Sequence, residues 1–232
     1  LLTNADITGQ LAEKYPNAIF SGCSTAGEIV NESVRDNTVI VTGILFKNTT
    51  VKSSKIKLED IGYSSMEAGK QLVMQLPSDG LKHVFVVSDG LKVNGTDLVK
   101  GMREFLAPDV MLTGGLAGDG SNFAKTVVVE PDGTIASESV AAIGFYGETL
   151  SIGFGSKGGW DSFGLDRLVT KSKENVLYEI DGQPALDLYK SFLGEKARDL
   201  PASGLLFPLS MRDNEERAPV VRTILGISEE DK

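Results

Sequence analysis

Pro108-Asp109-Val110-Met111-Leu112-Thr113-Gly114-Gly115-Leu116-Ala117-Gly118-Asp119 is an apolar run that ends in a glycine-dense acidic corner, and it has a counterpart near the start of the chain. There Pro16-Asn17-Ala18-Ile19-Phe20-Ser21-Gly22 has the same proline, apolar run and hydroxyl-glycine exit, at an offset of 108 − 16 = 92. One residue fewer brings Ala26-Gly27-Glu28 onto Ala117-Gly118-Asp119, at 117 − 26 = 91. Each corner leads on to two apolar segments joined by a short polar turn, with Phe46 and Thr49 matching Tyr146 and Thr149. We read an internal duplication of a helix, strand, acidic turn and hairpin, with units at about 4–56 and 96–155. Chance likeness of two such units is the competing explanation, and the ordered recurrence of Pro, Ser/Thr-Gly and Ala-Gly-acid weighs against it. Units packed about a pseudo-twofold axis would bring both corners to one cleft.

Outward from these corners, helical spacing predicts helices over 4–14, ended by Pro16, and over 63–76, stopped by Pro77-Ser78-Asp79-Gly80. A third helix is predicted from an N-cap at Thr96 to Leu106, and a fourth from Pro184 to about Leu193. Strands are predicted over 18–21, 39–46, 50–56, 83–88, 110–113, 126–130, 139–146, 149–155 and 220–227. Polar connections of hairpin length at 47–49 and 147–148 require antiparallel neighbours, and Pro131-Asp132-Gly133 makes a further turn between strands. The expected fold is mixed α/β (α+β): a mixed sheet with many antiparallel pairs flanked by helices, with 1–232 as one domain.

The 232 residues suffice to bury a sizeable core, and the proportions, 41% hydrophobic and 24% charged, are those of a globular protein. A net charge of −9 repels phosphate backbones and anionic headgroups, so neither nucleic acid nor membrane is an expected partner. The single cysteine, Cys23, makes no internal disulfide, and one Cys with one His, His83, argues against a zinc site. Apolar runs fall short of a membrane span and no basic-then-apolar leader opens the chain, so the expected location is the cytoplasm. Leu1-Leu2 enters a helix without a starting Met, and Ser228–Lys232 follows a strand-like stretch, which reads as a piece of a longer protein.

Three turns follow the carboxyl ends of apolar strands, at 22–28, 89–95 and 114–121, where sheets flanked by helices tend to bind ligands. Ser24, Thr25, Asp89, Asn94 and Asp119 supply hydrogen-bonding groups there, and Gly115, Ala117 and Gly118 leave room and expose backbone N–H groups. Taken singly, each turn reads as a tight strand end; taken together they read as a pocket. The spacing is neither G-x-G-x-x-G nor G-x-x-x-x-G-K-[ST], and each corner closes on an acid, which argues against a nucleotide. Cys23 sits in a turn suited to a nucleophile, but the one imidazole, His83, opens an apolar strand and reads as structural. Glu28 and Asp119 occupy equivalent places; they either converge as an acid–base pair or each closes its own turn. Trp160, in Ser156-Lys157-Gly158-Gly159-Trp160, walls a pocket or plugs the core. Arg222 holds an anion or pairs with Asp119 if it faces inward, and meets solvent if it lies on an edge strand.

Ser21-Gly22-Cys23-Ser24-Thr25-Ala26-Gly27-Glu28 resembles the signature near the start of FIST domains (F-box and intracellular signal transduction), and Gly114–Asp119 resembles their second glycine motif. Val169-Thr170-Lys171, the run from Val176 to Tyr189 and Phe207-Pro208-Leu209 resemble the family's later segments in order. The resemblance implies an N-terminal FIST sensory domain of a bacterial-type signalling protein, reading a small ligand such as an amino acid. It implies as partners a C-terminal FIST part and a signalling output domain. Some members of the family bind haem; with His83 read as structural, no cofactor is expected here. The expected role is binding without catalysis, with ligand-facing residues Ser24, Thr25, Asp89, Asn94, Gly115, Ala117, Gly118, Asp119, Trp160 and Arg222. A hydrolase using Cys23 or the carboxylate pair, and a non-catalytic scaffold, are the alternatives.

Overall fold

Strong apolar runs in the first two thirds of the chain place one sheet at its centre. The computed structural model describes residues 7–155, 158–213 and 219–230, and it divides into two compact units, Leu1–Phe154 and Gly155–Lys232. The first unit runs α1 (Ile7–Lys14), β1 (Gly22–Cys23), β2 (Glu28–Val30), β3 (Ser33–Arg35), β4 (Thr50–Lys57), α2 (Ser65–Met74) and β5 (Leu81–Ser88). It continues with α3 (Gly95–Arg103), β6 (Met111–Leu116), β7 (Val128–Val129), β8 (Ile135–Ala136) and β9 (Ser139–Tyr146).

The main sheet has the order β4-β9-β5-β6. β9 is antiparallel to both β4 and β5, and β5 is parallel to β6. α3 makes the crossover between β5 and β6 that a parallel pair requires. The fold is therefore α+β with a mixed, mostly antiparallel sheet, the class expected, although its antiparallel pairs are not those the connections at 47–49 and 147–148 implied.

β5 is buried on both faces, which explains its apolar run Val84–Val87. On one face Val84 and Val86 pack with Leu72, Leu98 and Met102 of the two helices. On the other, Val87 meets Val128 and Ala141, with Cys23 and Phe85 against them. α2 and α3 meet at two glycines. A Cβ on Gly69 would lie 2.2 Å from the Leu98 carbonyl oxygen, and one on Gly101 would lie 2.0 Å from that of Met66. The backbones approach so closely that only glycine fits at either place.

Several predicted elements take another form. The third helix is capped by Asn94, not Thr96: Asn94 Oδ1 accepts from the N–H groups of Thr96 (3.0 Å) and Asp97 (3.3 Å), and the helix ends at Arg103. Residues 18–21 form no strand, and β1 begins at Gly22 where a partner, β7, comes within reach. Residues 39–46 and 149–155 also form no strand, so 47–49 and 147–148 are not hairpin turns. Instead β4 takes β9 as its partner, from Thr50 opposite Tyr146 to Lys57 opposite Ser139. Pro131-Asp132-Gly133 does turn between β7 and β8, which pair antiparallel.

The second unit contains β10 (Val169–Lys173), β11 (Val176–Ile180), β12 (Gln183–Pro184), α4 (Ala185–Leu193), β13 (Leu209–Met211) and β14 (Val220–Arg222). Asp181 and Gly182 carry positive φ (52° and 73°), which makes the two-residue turn that joins β11 to β12. Asp181 fixes the turn by accepting from Leu168 N–H and the Arg167 guanidinium. α4 opens after Pro184, as the proline predicted. The last predicted strand is shorter than expected; β14 ends at Arg222 and pairs with β13.

Candidate functional site

The three glycine corners meet. Gly118 N–H donates to the Ser24 carbonyl (2.9 Å) and Ala117 N–H to the Ser88 carbonyl (2.8 Å). A Cβ on Gly90 would lie 1.8 Å from the Ala117 carbonyl oxygen, so the second corner lies directly on the third. One strand of backbone ties the group together. Ser24 N–H donates to the Val127 carbonyl, and Val127 N–H donates to Ser24 Oγ (3.1 Å).

Asp89 is the knot of this junction. It is 3% exposed. Its Oδ1 accepts from Leu91 and Lys92 N–H (2.8 and 2.7 Å), and its Oδ2 accepts from Thr126 Oγ1 (2.7 Å) and Glu138 N–H (3.4 Å). Thr126 Oγ1 in turn accepts from Gly90 N–H (3.1 Å). A buried carboxylate held by four donors is stable where an unpaired one would not be.

The remaining corner residues are also committed to local partners. Asp119 Oδ2 accepts from Ala124 and Lys125 N–H, and these bonds hold its carboxyl below the usual range. Glu28 accepts from the hydroxyls of Thr25 (2.7 Å) and Thr38 (2.8 Å), which lower its pKa likewise. Each acid therefore closes its own turn. Gly115 is exposed with nothing within 4 Å of a Cβ, and Ala117 is buried. Asn94 serves α3 as its cap. Burial pushes the Cys23 thiol up, away from the thiolate. His83 is buried, stacked on Phe145 and bonded through Nε2 to Thr113 Oγ1 (2.8 Å); its burial lowers its pKa. In the second unit, Trp160 is half-exposed, while Ser156 and Lys157 of its loop lie outside the described residues. Arg222 is exposed on β14, its guanidinium donating to the Val221 carbonyl.

Beside the junction lies a cleft of about 540 Å³ that the sequence did not suggest. Lys55 and Lys57, two residues apart on β4, share one face of the strand. Opposite them stand Glu130, the segment 134–138 and Glu59. Glu130 is 2% exposed; it accepts from Lys55 Nζ (2.6 Å) through Oε2 and from Ser139 Oγ (2.8 Å) through Oε1. Lys55 Nζ also donates to Asp132 (2.9 Å), whose pKa it lowers to about 2, and the two carboxylates raise that of Lys55. Glu138 accepts from Tyr63 Oη (2.6 Å). Among the described residues, Lys57 and Glu59 form no ion pair with protein groups. The cleft and the corners share one support, because Glu138 N–H bonds to Asp89 and Asp89 N–H to the Ser139 carbonyl (2.9 Å). Alternation on β4 puts Lys55 and Lys57 on one face, but the acidic partners of Lys55 are 75 or more residues away in the chain and no local pattern marks them.

No group of three or more His, Cys, Asp and Glu side chains is placed to hold a metal ion among the described residues, and no helix there is long and apolar enough to cross a membrane. In comparison with known proteins, the family model described as FIST N domain matches residues 3–183. No curated protein and no solved structure matches.

Proposed function

We propose that this chain, which belongs to the FIST N domain family, reads the presence of a small polar molecule and passes that state to a signalling partner. The family is one of sensor domains in signal transduction, and that membership supports the sensing role. The observation that carries the reading further is the cleft, with Lys57 and Glu59 on its walls and neither in an ion pair among the described residues. Such a pair suits a ligand bearing both charges, as an amino acid does; each ligand charge then meets its complement at the protein surface.

In this reading the glycine corners are the support of the site. Ser24, Asp89, Gly118 and Thr126 lock the segment that carries Thr134–Glu138, so a ligand bridging the cleft stabilises the corner junction as well. A ligand with that preference shifts the population towards the arrangement it binds, which an output domain or a C-terminal FIST part then reads. A thiol kept neutral by burial and an imidazole bonded to Thr113 favour binding over Cys23 chemistry.

Thermal denaturation with a panel of amino acids, their amides and their decarboxylated amines tests this. Stabilisation by zwitterions, reduced by Lys57→Ala and by Glu59→Gln, is the expected result. No stabilisation by any member of the panel, or stabilisation untouched by both substitutions, overturns the cleft as the site.

A further inference from the structure

The charges on the walls of the cleft do not balance. Three carboxylates, Glu59, Glu130 and Glu138, line it against two ammonium groups, Lys55 and Lys57. Lys55 is already engaged: its Nζ donates to Glu130 (2.6 Å) and to Asp132 (2.9 Å), so two acids hold one base. Lys57 remains as the cation for Glu59 and Glu138, and none of these three is in an ion pair among the described residues. The two acids act on one phenol. Glu138 accepts from the Tyr63 hydroxyl (2.6 Å), which raises the pKa of that group, and the charge of Glu59 raises it further. Lys57 borders them, because Leu58 N–H donates to the Glu138 carbonyl (2.9 Å) and Lys57 pairs with Ser139 in the β4–β9 ladder. Half-buried Ile135 and Ala136 add apolar surface to the same cleft.

We infer that the ligand of this cleft is an amino acid with a second cation on its side chain, the class of lysine, ornithine and arginine, and that Glu138 selects it. The inference rests on the reading of the cleft as a site for a small zwitterion. A neutral zwitterion pairs its carboxylate with Lys57 and its ammonium with Glu59. It also displaces water that solvates Glu138 and gives that carboxylate no new partner, which is costly. A ligand of net charge +1 meets Lys57 and both acids at once, and its second cation forms a charge-assisted hydrogen bond with Glu138. The methylene stem that carries this cation suits Ile135 and Ala136, since long basic side chains lay their stems on apolar surface. A volume of about 540 Å³ has room for such a side chain. A diamine without a carboxylate fits less well, because it sets a further cation beside Lys57 with no anion between them.

Isothermal titration calorimetry on the full chain at pH 7 with lysine, norleucine and cadaverine tests this. Norleucine is lysine without its side-chain ammonium, and cadaverine is lysine without its carboxylate. The expected result is a Kd for lysine about tenfold below that for either of the others, the factor that one charged hydrogen bond supplies. Glu138→Gln removes the charge but keeps an acceptor for Tyr63, and it brings lysine and norleucine to within about threefold of one another. Glu138→Asp, which keeps the charge, restores part of the preference. Norleucine binding as tightly as lysine, or a preference untouched by Glu138→Gln, overturns the inference and leaves the zwitterion site standing. Cadaverine binding as tightly as lysine also overturns it. No binding of either amino acid removes the site and the inference together.

Discussion

Replacing Asp89 with alanine is the sharpest test of how the corners are joined. The carboxylate is buried at 3% exposure and accepts four hydrogen bonds from three segments of chain. Leu91 and Lys92 are exposed, so water re-solvates their N–H groups and each lost bond costs about 0.5–1 kcal/mol. Thr126 is 2% exposed, and its hydroxyl loses a charged acceptor with no water to replace it, at about 1.5–3 kcal/mol. Together these give about 4 kcal/mol, or roughly 8–16 °C in Tm for a domain of this size. Asp89→Asn keeps the Oδ1 acceptor for Leu91 and Lys92 but turns an amide N–H towards Glu138 N–H; its cost is about half as large. Urea denaturation at pH 7 measures both through the midpoint, with the slope checked for constancy. A loss below about 1 kcal/mol for Asp89→Ala would refute the reasoning, because the corners would then not depend on this group.

Gly90→Ala places a methyl 1.8 Å from the Ala117 carbonyl oxygen and is expected to cost at least about 2 kcal/mol, whereas Gly115→Ala, with nothing near its Cβ, changes the unfolding free energy from urea denaturation by less than about 0.5 kcal/mol. Gly69→Ala and Gly101→Ala each force α2 from α3 and lower Tm by roughly 5 °C or more in thermal denaturation; the double substitution costs less than the sum, since both push the same helix pair apart. Asp132 has a folded pKa of about 2 against 3.8 in the ordinary state, so its contribution is fully present above about pH 4 and is lost as pH falls towards 2; urea midpoints at pH 5 and pH 3 should differ less in Asp132→Asn than in the parent. Lys55, raised above 10.5, has the opposite sense: its contribution holds below that pH and falls away above it, which Lys55→Met should abolish in the same titration carried to high pH.

Elements whose own sequence decides their structure were read correctly. β5 carries the apolar run Val84–Val87 and β9 the run Val140–Ile143, α2 shows helical spacing, and the Pro131–Gly133 turn carries the residues that such a turn needs. Errors arose where the outcome depends on a partner. Residues 39–46 have every local mark of a strand, yet a strand forms only against a neighbour, and β4 is bonded to β9 instead. Thr96 and Asn94 are both good caps, and packing of Asn94 N–H onto Ser65 Oγ (2.9 Å) decides between them. The corners were read from their glycines as the walls of a pocket, whereas they pack on one another as a junction that uses up its own polar groups. The cleft escaped notice because its walls are assembled from β4 and from a hairpin some 75 residues later.

Backbone amide shifts during titration with a zwitterionic amino acid that stabilises the chain test the central claim most directly. The account predicts saturable changes at Thr134–Glu138 and at Lys57 and Glu59, lost in Lys57→Ala, with weaker effects spreading to Asp89 through Glu138. Changes confined to Gly115–Asp119, or none in the segment 134–138, would contradict it.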